Sequence, residues 1–288
     1  MSDPEIRDFL DEKRRDYRDD ASPRPVRTYL WRPNTSSDPP PVVLISHGTG
    51  GSALQMAWLA EPLAAAGFLA VSVDHHGNNY VDGYLPEGFA FEWERPRDLS
   101  FALSVLAAER PLGPVGAAGF SSGGYTAAAL VGARIDPAVL QAILDGTIIA
   151  PDLPEFPDLL EALRQKVPAQ QLAELLAVAG GDMSDARVRA AFLVCPAIGE
   201  LLLTESLTAV RAPVEIRWGG ADTITPPEQN AMRYLAAIPG ARGSSAGPDV
   251  EHYHFLGDNP VGAHVRRQVA AEAVTFLQAQ LRSTEATG

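Results

Sequence analysis

Gly116–Gly124 reads Gly-Ala-Ala-Gly-Phe-Ser-Ser-Gly-Gly, an apolar run that ends in Gly119-Phe120-Ser121-Ser122-Gly123 and passes straight into a helical pattern. Gly-x-Ser-x-Gly between a strand and a helix is the pattern of a nucleophile elbow, where glycines permit a turn too tight for a Cβ and the serine hydroxyl is held above the sheet. Ser121 is therefore the candidate nucleophile, and Ser122 contributes its backbone N–H. A serine hydroxyl needs a base to take its proton and an acid to orient that base. On an elbow of this kind both follow the serine at the ends of later strands, acid first. Asp222 stands in Trp218-Gly219-Gly220-Ala221-Asp222 directly after the apolar run Val214–Trp218, which makes it the candidate acid. Its alternative role is an Asx-turn or cap ahead of Pro226 and Pro227. Glu251-His252-Tyr253-His254 then offers two histidines, and the residues alone leave the choice between them open. The developing oxyanion needs two backbone donors, one after the nucleophile and one from the loop that ends an earlier strand. His47-Gly48-Thr49-Gly50-Gly51 is that loop, so the N–H groups of Thr49 and Ser122 are the candidate oxyanion hole, with His47 structural. The loop lacks the lysine of a phosphate-binding P-loop.

The elements that must position these residues follow from periodicity. Val26–Trp31 predicts an edge strand, Asn34–Pro41 a turn-rich connection, and Val42–Ser46 an interior strand. Leu54–Ala66 predicts a helix, Phe68–Val73 a strand, Arg97–Glu109 a helix, Val115–Gly119 a strand and Tyr125–Ala133 a helix. Continuous apolar strands alternating with helices give a mostly parallel sheet covered on both faces. The alternation fails between about 135 and 187, where Pro151, Pro154, Pro157 and Pro168 punctuate the helical stretches Leu159–Lys166 and Gln170–Ala179; this segment reads as a helical cap inserted into the sheet order. Val188–Cys195, Val214–Trp218 and a closing helix over Val261–Leu281 complete the core. Residues 1–22 read as a charged arm or surface helix, and 23–288 as one α/β domain carrying the cap.

With 288 residues, 46% of them hydrophobic, the chain has material for one substantial core. A net charge of −13 disfavours nucleic acid and anionic membranes as partners. The single cysteine, Cys195, excludes an internal disulfide framework and a thiolate-rich zinc site, and its apolar strand makes it a core residue. No apolar leader and no span long enough for a bilayer are present, which gives a cytoplasmic expectation. Asp74-His75-His76 matches the Asp-His-His signature of metal phosphoesterases, but the preceding strands supply no further ligands, so no metal is expected. Arg95 and Asp98 read as props for the loop beneath the site, and His264 as a surface residue. The aromatic residues Tyr80, Tyr84, Phe89, Phe91 and Trp93 either line an acyl pocket or pack their loop. Leu159, Leu160, Leu163, Leu172, Leu175 and Leu176 of the cap either face an acyl group or pack, and their helical spacing is more simply explained by packing.

Several separate motifs carry a family resemblance: the His47–Gly50 loop, Asp74-His75-His76-Gly77-Asn78, Arg95-Pro96 with Asp98, the elbow, Pro196-Ala197, and His252-Tyr253-His254-Phe255-Leu256. From about Pro41 to Leu256 the chain resembles the bacterial dienelactone hydrolase-like proteins, which are similar to platelet-activating-factor acetylhydrolases within the α/β-hydrolases. Where the family's last motif reads His-Phe-Asp-Phe-Leu, this chain has His252 at the catalytic histidine and His254 at the aspartate; His76 stands where a proline is expected. The resemblance implies an α/β-hydrolase fold and a serine esterase without metal or cofactor, cleaving a small carboxylic ester through an acyl-enzyme with Ser121, Asp222 and His252. A thioesterase, acyltransferase or peptidase would use the same residues. A binding module that has lost catalysis and a metal phosphoesterase are the readings from other classes.

Overall fold

The computed structural model describes residues 3–33, 39–149, 153–256 and 260–281. Part of the turn-rich connection expected over Asn34–Pro41, and Pro151, lie outside the described residues. In chain order the elements are β1 (Glu5–Arg15), β2 (Pro23–Trp31), β3 (Val42–Ser46), α1 (Ala57–Ala65), β4 (Leu69–Asp74), a hairpin of β5 (Asn78–Asn79) and β6 (Gly83–Tyr84), α2 (Pro86–Ala90), α3 (Glu94–Glu109), β7 (Val115–Phe120) and α4 (Ser122–Ala129). There follow α5 (Pro137–Leu144), α6 (Leu159–Lys166), α7 (Ala169–Ala179), β8 (Val188–Val194), α8 (Thr204–Ala209), β9 (Val214–Trp218), α9 (Ala231–Ala237), β10 (Arg242–Ser245) and α10 (Pro260–Leu281).

Eight strands form one sheet in the order β1-β2-β4-β3-β7-β8-β9-β10. The β1/β2 and β2/β4 pairs are antiparallel and all others parallel. Alternate residues of the central strands divide two apolar layers. Val43, Ile45, Ala118 and Phe120 pack with α1 and α10 through Leu59, Leu63, Phe276 and Leu277. Val42, Leu44 and Ala117 face the other way, toward Leu99, Leu103 and Leu106 of α3. Burial on both faces is why these strands read as unbroken apolar runs. The register pairs Ser46 with Gly119, so β3 and β7 end side by side and deliver the His47 loop and Ser121 to the C-terminal end of the sheet, at its centre.

The N-terminal segment departs from expectation. Residues Glu5–Arg15 are neither arm nor helix but an eleven-residue strand, which takes the edge position and makes β2 an interior strand. Its anchor is ionic. Arg14 is buried and reaches Asp11, Glu94 and Asp98, while Arg24 of β2 forms a paired contact with both oxygens of Asp98. Losing Asp98 takes from buried Arg24 the carboxylate it is paired with, and breaking a buried pair costs about 3–5 kcal/mol.

Between α4 and β8 the chain leaves the sheet order for α5, α6 and α7, which lie over the end of the sheet that carries Ser121. The helix after the elbow starts at Ser122, three residues before the expected Tyr125.

Candidate active site

Ser121 follows β7 at φ +57°, a left-handed conformation that L side chains rarely adopt and that costs on the order of 1–3 kcal/mol. Close packing on both sides enforces it. A Cβ at Gly119 would collide with the Gly123 backbone, and one at Gly123 with the Ser46 carbonyl. The turn is pinned by the Ser121 N–H donating to Val194 O at 2.9 Å and by the Ala197 N–H donating to Ser121 O at 3.1 Å.

Asp222 and His252 are brought to the same place from separate elements. Asp222 lies in the turn after β9, and His252 opens a short 3-10 turn, His252–Phe255, beyond β10. His252 Nε2 is 3.1 Å from Ser121 Oγ, and its Nδ1 is 2.7 Å from Asp222 Oδ2. All three side chains are buried. The geometry accommodates both roles weighed for Asp222: Oδ1 accepts the N–H groups of Ile224 and Thr225 in an Asx-type turn, while Oδ2 meets the histidine. Burial alone would raise the Asp222 carboxyl, but the bonds from His252 and Thr225 outweigh it and hold the group below its ordinary value. The ambiguity between the two histidines is resolved in position. His254 Nδ1 accepts the N–H of Glu251 in a capping box, whereas His252 alone of the pair meets Ser121.

Thr225 was not foreseen. Its hydroxyl donates to Asp222 Oδ2 at 2.8 Å and lies 3.2 Å from His252 Nδ1, so it fixes the carboxylate from the side. The signal was present as a threonine directly after Ile224, the residue on which an Asx turn from Asp222 closes.

The His47 loop wraps the serine. A Cβ on Gly48 would stand 3.2 Å from Ser121 Cβ, so the loop backbone lies against the nucleophile. Thr49 Oγ1 and Ser122 Oγ are 2.7 Å apart, and the Ser122 N–H, at the first residue of α4, has no acceptor within its helix. Neighbours hold the loop in place. Gly50 N–H donates to Asn78 Oδ1, Tyr84 donates to Gly50 O, and Arg95 donates through Nη2 to the His47 carbonyl. Arg95 also bonds Thr126 of α4 through Nε at 3.2 Å, tying loop to helix. Asp98 reaches the loop through His75, which meets Ser46 Oγ and donates its N–H to His47, and is otherwise paired with Arg14 and Arg24.

Three further histidines, His47, His75 and His76, are internal braces, while His264 is exposed as expected. His47 Nδ1 meets Gly48 O and its Nε2 accepts the His75 N–H; His75 bridges Ser46 Oγ and Asp98; His76 Nε2 meets Tyr17 N–H and Asp16. Burial, with nearby Arg95, pushes His75 down to about 3 and His47 well below its ordinary value. Among the described residues, one set of potential ligand atoms comes close enough to share an ion: Cys195, Asp222 and His252, all within 4.8 Å of one another. The last two are already bonded to each other.

Two adjoining cavities open at the site. One, of about 330 Å3, contains Ser121 and His252; the other, of about 630 Å3, lies under the cap. The aromatic cluster divides between the larger cavity and the loop. Phe89, Phe91 and Trp93 line the larger cavity, while Tyr80 and Tyr84 are exposed and brace Ser52 and Gly50. Five of the six cap leucines, Leu159, Leu160, Leu163, Leu172 and Leu176, also line it, so their helical spacing serves a cavity wall and not packing alone. Beside the Ser122 end of this wall sits Glu92, whose carboxyl burial pushes up against the opposing pull of Arg95.

A parallel sheet covered by helices on both faces, with a serine on an elbow and a histidine and aspartate behind it, is the α/β-hydrolase architecture of serine hydrolases. A model of the serine aminopeptidase, S33 family matches residues 37–191, more than half of the chain, and the chain belongs to that family. No curated protein matches it in sequence. Among solved structures it is similar to Pyrococcus horikoshii acylaminoacyl peptidase, with a TM-score of 0.59 and 13% identity over 100% of this chain and 44% of that one. This chain thus spans under half of that peptidase. Dienelactone hydrolase from Anabaena variabilis gives 0.58 and 16%, covering 98% of this chain and 100% of that one. Est1E from Butyrivibrio proteoclasticus gives 0.55 and 14%, covering 97% and 99%. At these identities the likeness is one of fold. No helix among the described residues is long and apolar enough to cross a membrane.

Proposed function

We propose that this serine hydrolase cleaves carboxylic esters of small molecules through an acyl-enzyme on Ser121. The observation that carries the reading is the continuous line from Ser121 Oγ to His252 Nε2 at 3.1 Å and from His252 Nδ1 to Asp222 Oδ2 at 2.7 Å, on an elbow strained at φ +57°. His252 takes the Ser121 proton as Oγ attacks the ester carbonyl carbon. The C=O electron pair moves to the oxygen, where the N–H groups of Thr49 and Ser122 receive it. Collapse expels the alkoxide, which leaves with the proton held on His252 Nε2. Water then gives its proton to His252 and attacks the acyl-enzyme, and collapse releases the acid and restores Ser121. Asp222 stays ionised throughout, orienting the ring and stabilising its charged form. No step calls for a metal or cofactor.

The family's description as a serine aminopeptidase favours a second reading, a peptidase on the same residues. Hydrolysis of p-nitrophenyl butyrate with chelator present, set beside aminoacyl p-nitroanilides, separates the two. The ester reading expects ester turnover to dominate and Ser121→Ala to lose at least about 10^4-fold in kcat/KM. Faster cleavage of the anilides makes the protein a peptidase, and full activity in Ser121→Ala rejects a serine mechanism altogether.

A further inference from the structure

The two cavities differ in chemistry as well as in size. His252 lines only the smaller one, where polar groups such as Gln55, Glu155 and Asn230 alternate with apolar ones such as Phe120, Ile224 and Leu256. The larger is walled by Phe89, Phe91, Trp93, Leu144, Leu163 and Leu176, among other apolar residues, and among the described residues on its wall Glu92, half-buried, is the one ionisable group that is not exposed. Asp158, Glu161 and Arg164 belong to its exposed rim. Thr49 and Ser122 line both cavities, as do Ile149, Leu153, Ile198 and Leu201, so the junction between the two includes the proposed oxyanion position.

That junction assigns the halves of a substrate. Around the attacked carbon the oxygen faces Thr49 and Ser122, and the leaving group must face His252, which protonates it. The third substituent, the acyl chain, therefore departs on the side without the histidine. That is the side on which the larger apolar cavity begins.

Resting on the ester-hydrolase reading above, we propose that the cavity under the cap holds the acyl half of the substrate, an uncharged apolar group larger than butyryl, while the smaller cleft takes a short polar alcohol. About 630 Å3 falls within the range in which a cavity encloses most of a small organic ligand. The Glu92 carboxyl on the wall makes the chamber unsuited to an acyl group that ends in a carboxylate.

The test needs no variant at first. With the p-nitrophenoxide leaving group held constant, kcat/KM should climb from acetate through butyrate and hexanoate to octanoate, by up to roughly fourfold per methylene that is fully buried in the transition state. With octanoyl held constant, the glycerol monoester should be preferred to the hexadecyl ester. Filling the chamber with Leu163→Trp should lower the octanoate-to-acetate ratio at least about tenfold, a change that a general loss of folded enzyme would not produce. A succinyl monoester should be hydrolysed more slowly than the butyryl ester. Acetate as fast as octanoate, or an unchanged ratio in Leu163→Trp, overturns the assignment when Ser121 still reacts with a fluorophosphonate probe. Absence of both labelling and hydrolysis instead overturns the serine-hydrolase reading on which it rests.

Discussion

At Ser121 the backbone conformation, the hydrogen bond to His252 and the packing of Gly119 and Gly123 all serve one atom, the serine Oγ. Each is a separate requirement, which is why the elbow was legible as a motif: a strained turn can be built from few residue types. Asp222 was legible through its position after an apolar strand, and the structure adds that Ile224 and Thr225 hold its other oxygen. Asp222→Asn is expected to lower kcat by about 10^4-fold with the protein still folded, because an amide leaves the imidazole in the wrong tautomer; pre-steady-state acylation measures it. Thr225→Val removes a bond to the carboxylate and should cost about 1.5–3 kcal/mol of transition-state stabilisation, on the order of 10–150-fold in kcat/KM. An unchanged rate would assign Thr225 to the fold alone. The choice of His252 over His254 was not legible from residue type or spacing. It depends on which ring the 3-10 turn points inward, a fact of three dimensions.

Among the elements, those buried on both faces of the sheet were read from their composition, since burial leaves a continuous apolar run in β3, β4, β7 and β8. The edges were not. β10, Arg-Gly-Ser-Ser, is mostly exposed and carries no apolar pattern. β1 looks like a solvated charge run because its anchor is Arg14, paired with residues some 80 positions away on α3. Ion pairs at that distance along the chain leave no period to read. Asp98→Asn is therefore expected to destabilise the protein by about 3–5 kcal/mol, leaving Arg14 and Arg24 buried without their shared carboxylate. Urea unfolding checks it, and a loss under about 1 kcal/mol would mean that the strand is held by its backbone pairing alone.

For the molecule as a whole, the consequence of so many buried ionisable groups is acid sensitivity. His75 and His76 are pushed down to about 3 and about 4 by burial, against an ordinary 6.5, and His47 is lowered well below that value too. A histidine whose folded value is depressed takes up a proton more readily when unfolded. Its contribution is therefore complete above about 6.5 and lost as pH falls from there toward the folded values. The thermal midpoint should drop between about pH 7.5 and about pH 5, before ordinary carboxylates titrate; a flat profile over that interval would show that these histidines take up protons as readily folded as unfolded. Domain-scale features were legible where composition decides them, as in the acidic balance. The two-cavity site was not, because Phe89–Trp93 and the cap leucines meet only once the chain has folded back over the sheet.

The most direct test of the central claim is chemical. A fluorophosphonate probe allowed to react with the folded protein and located by peptide mass mapping should form one adduct, on Ser121, and labelling should fall sharply in His252→Ala, which leaves the serine without its base. Label on Ser122 or no label at all, in protein shown to be folded, would contradict the assignment of Ser121 as nucleophile.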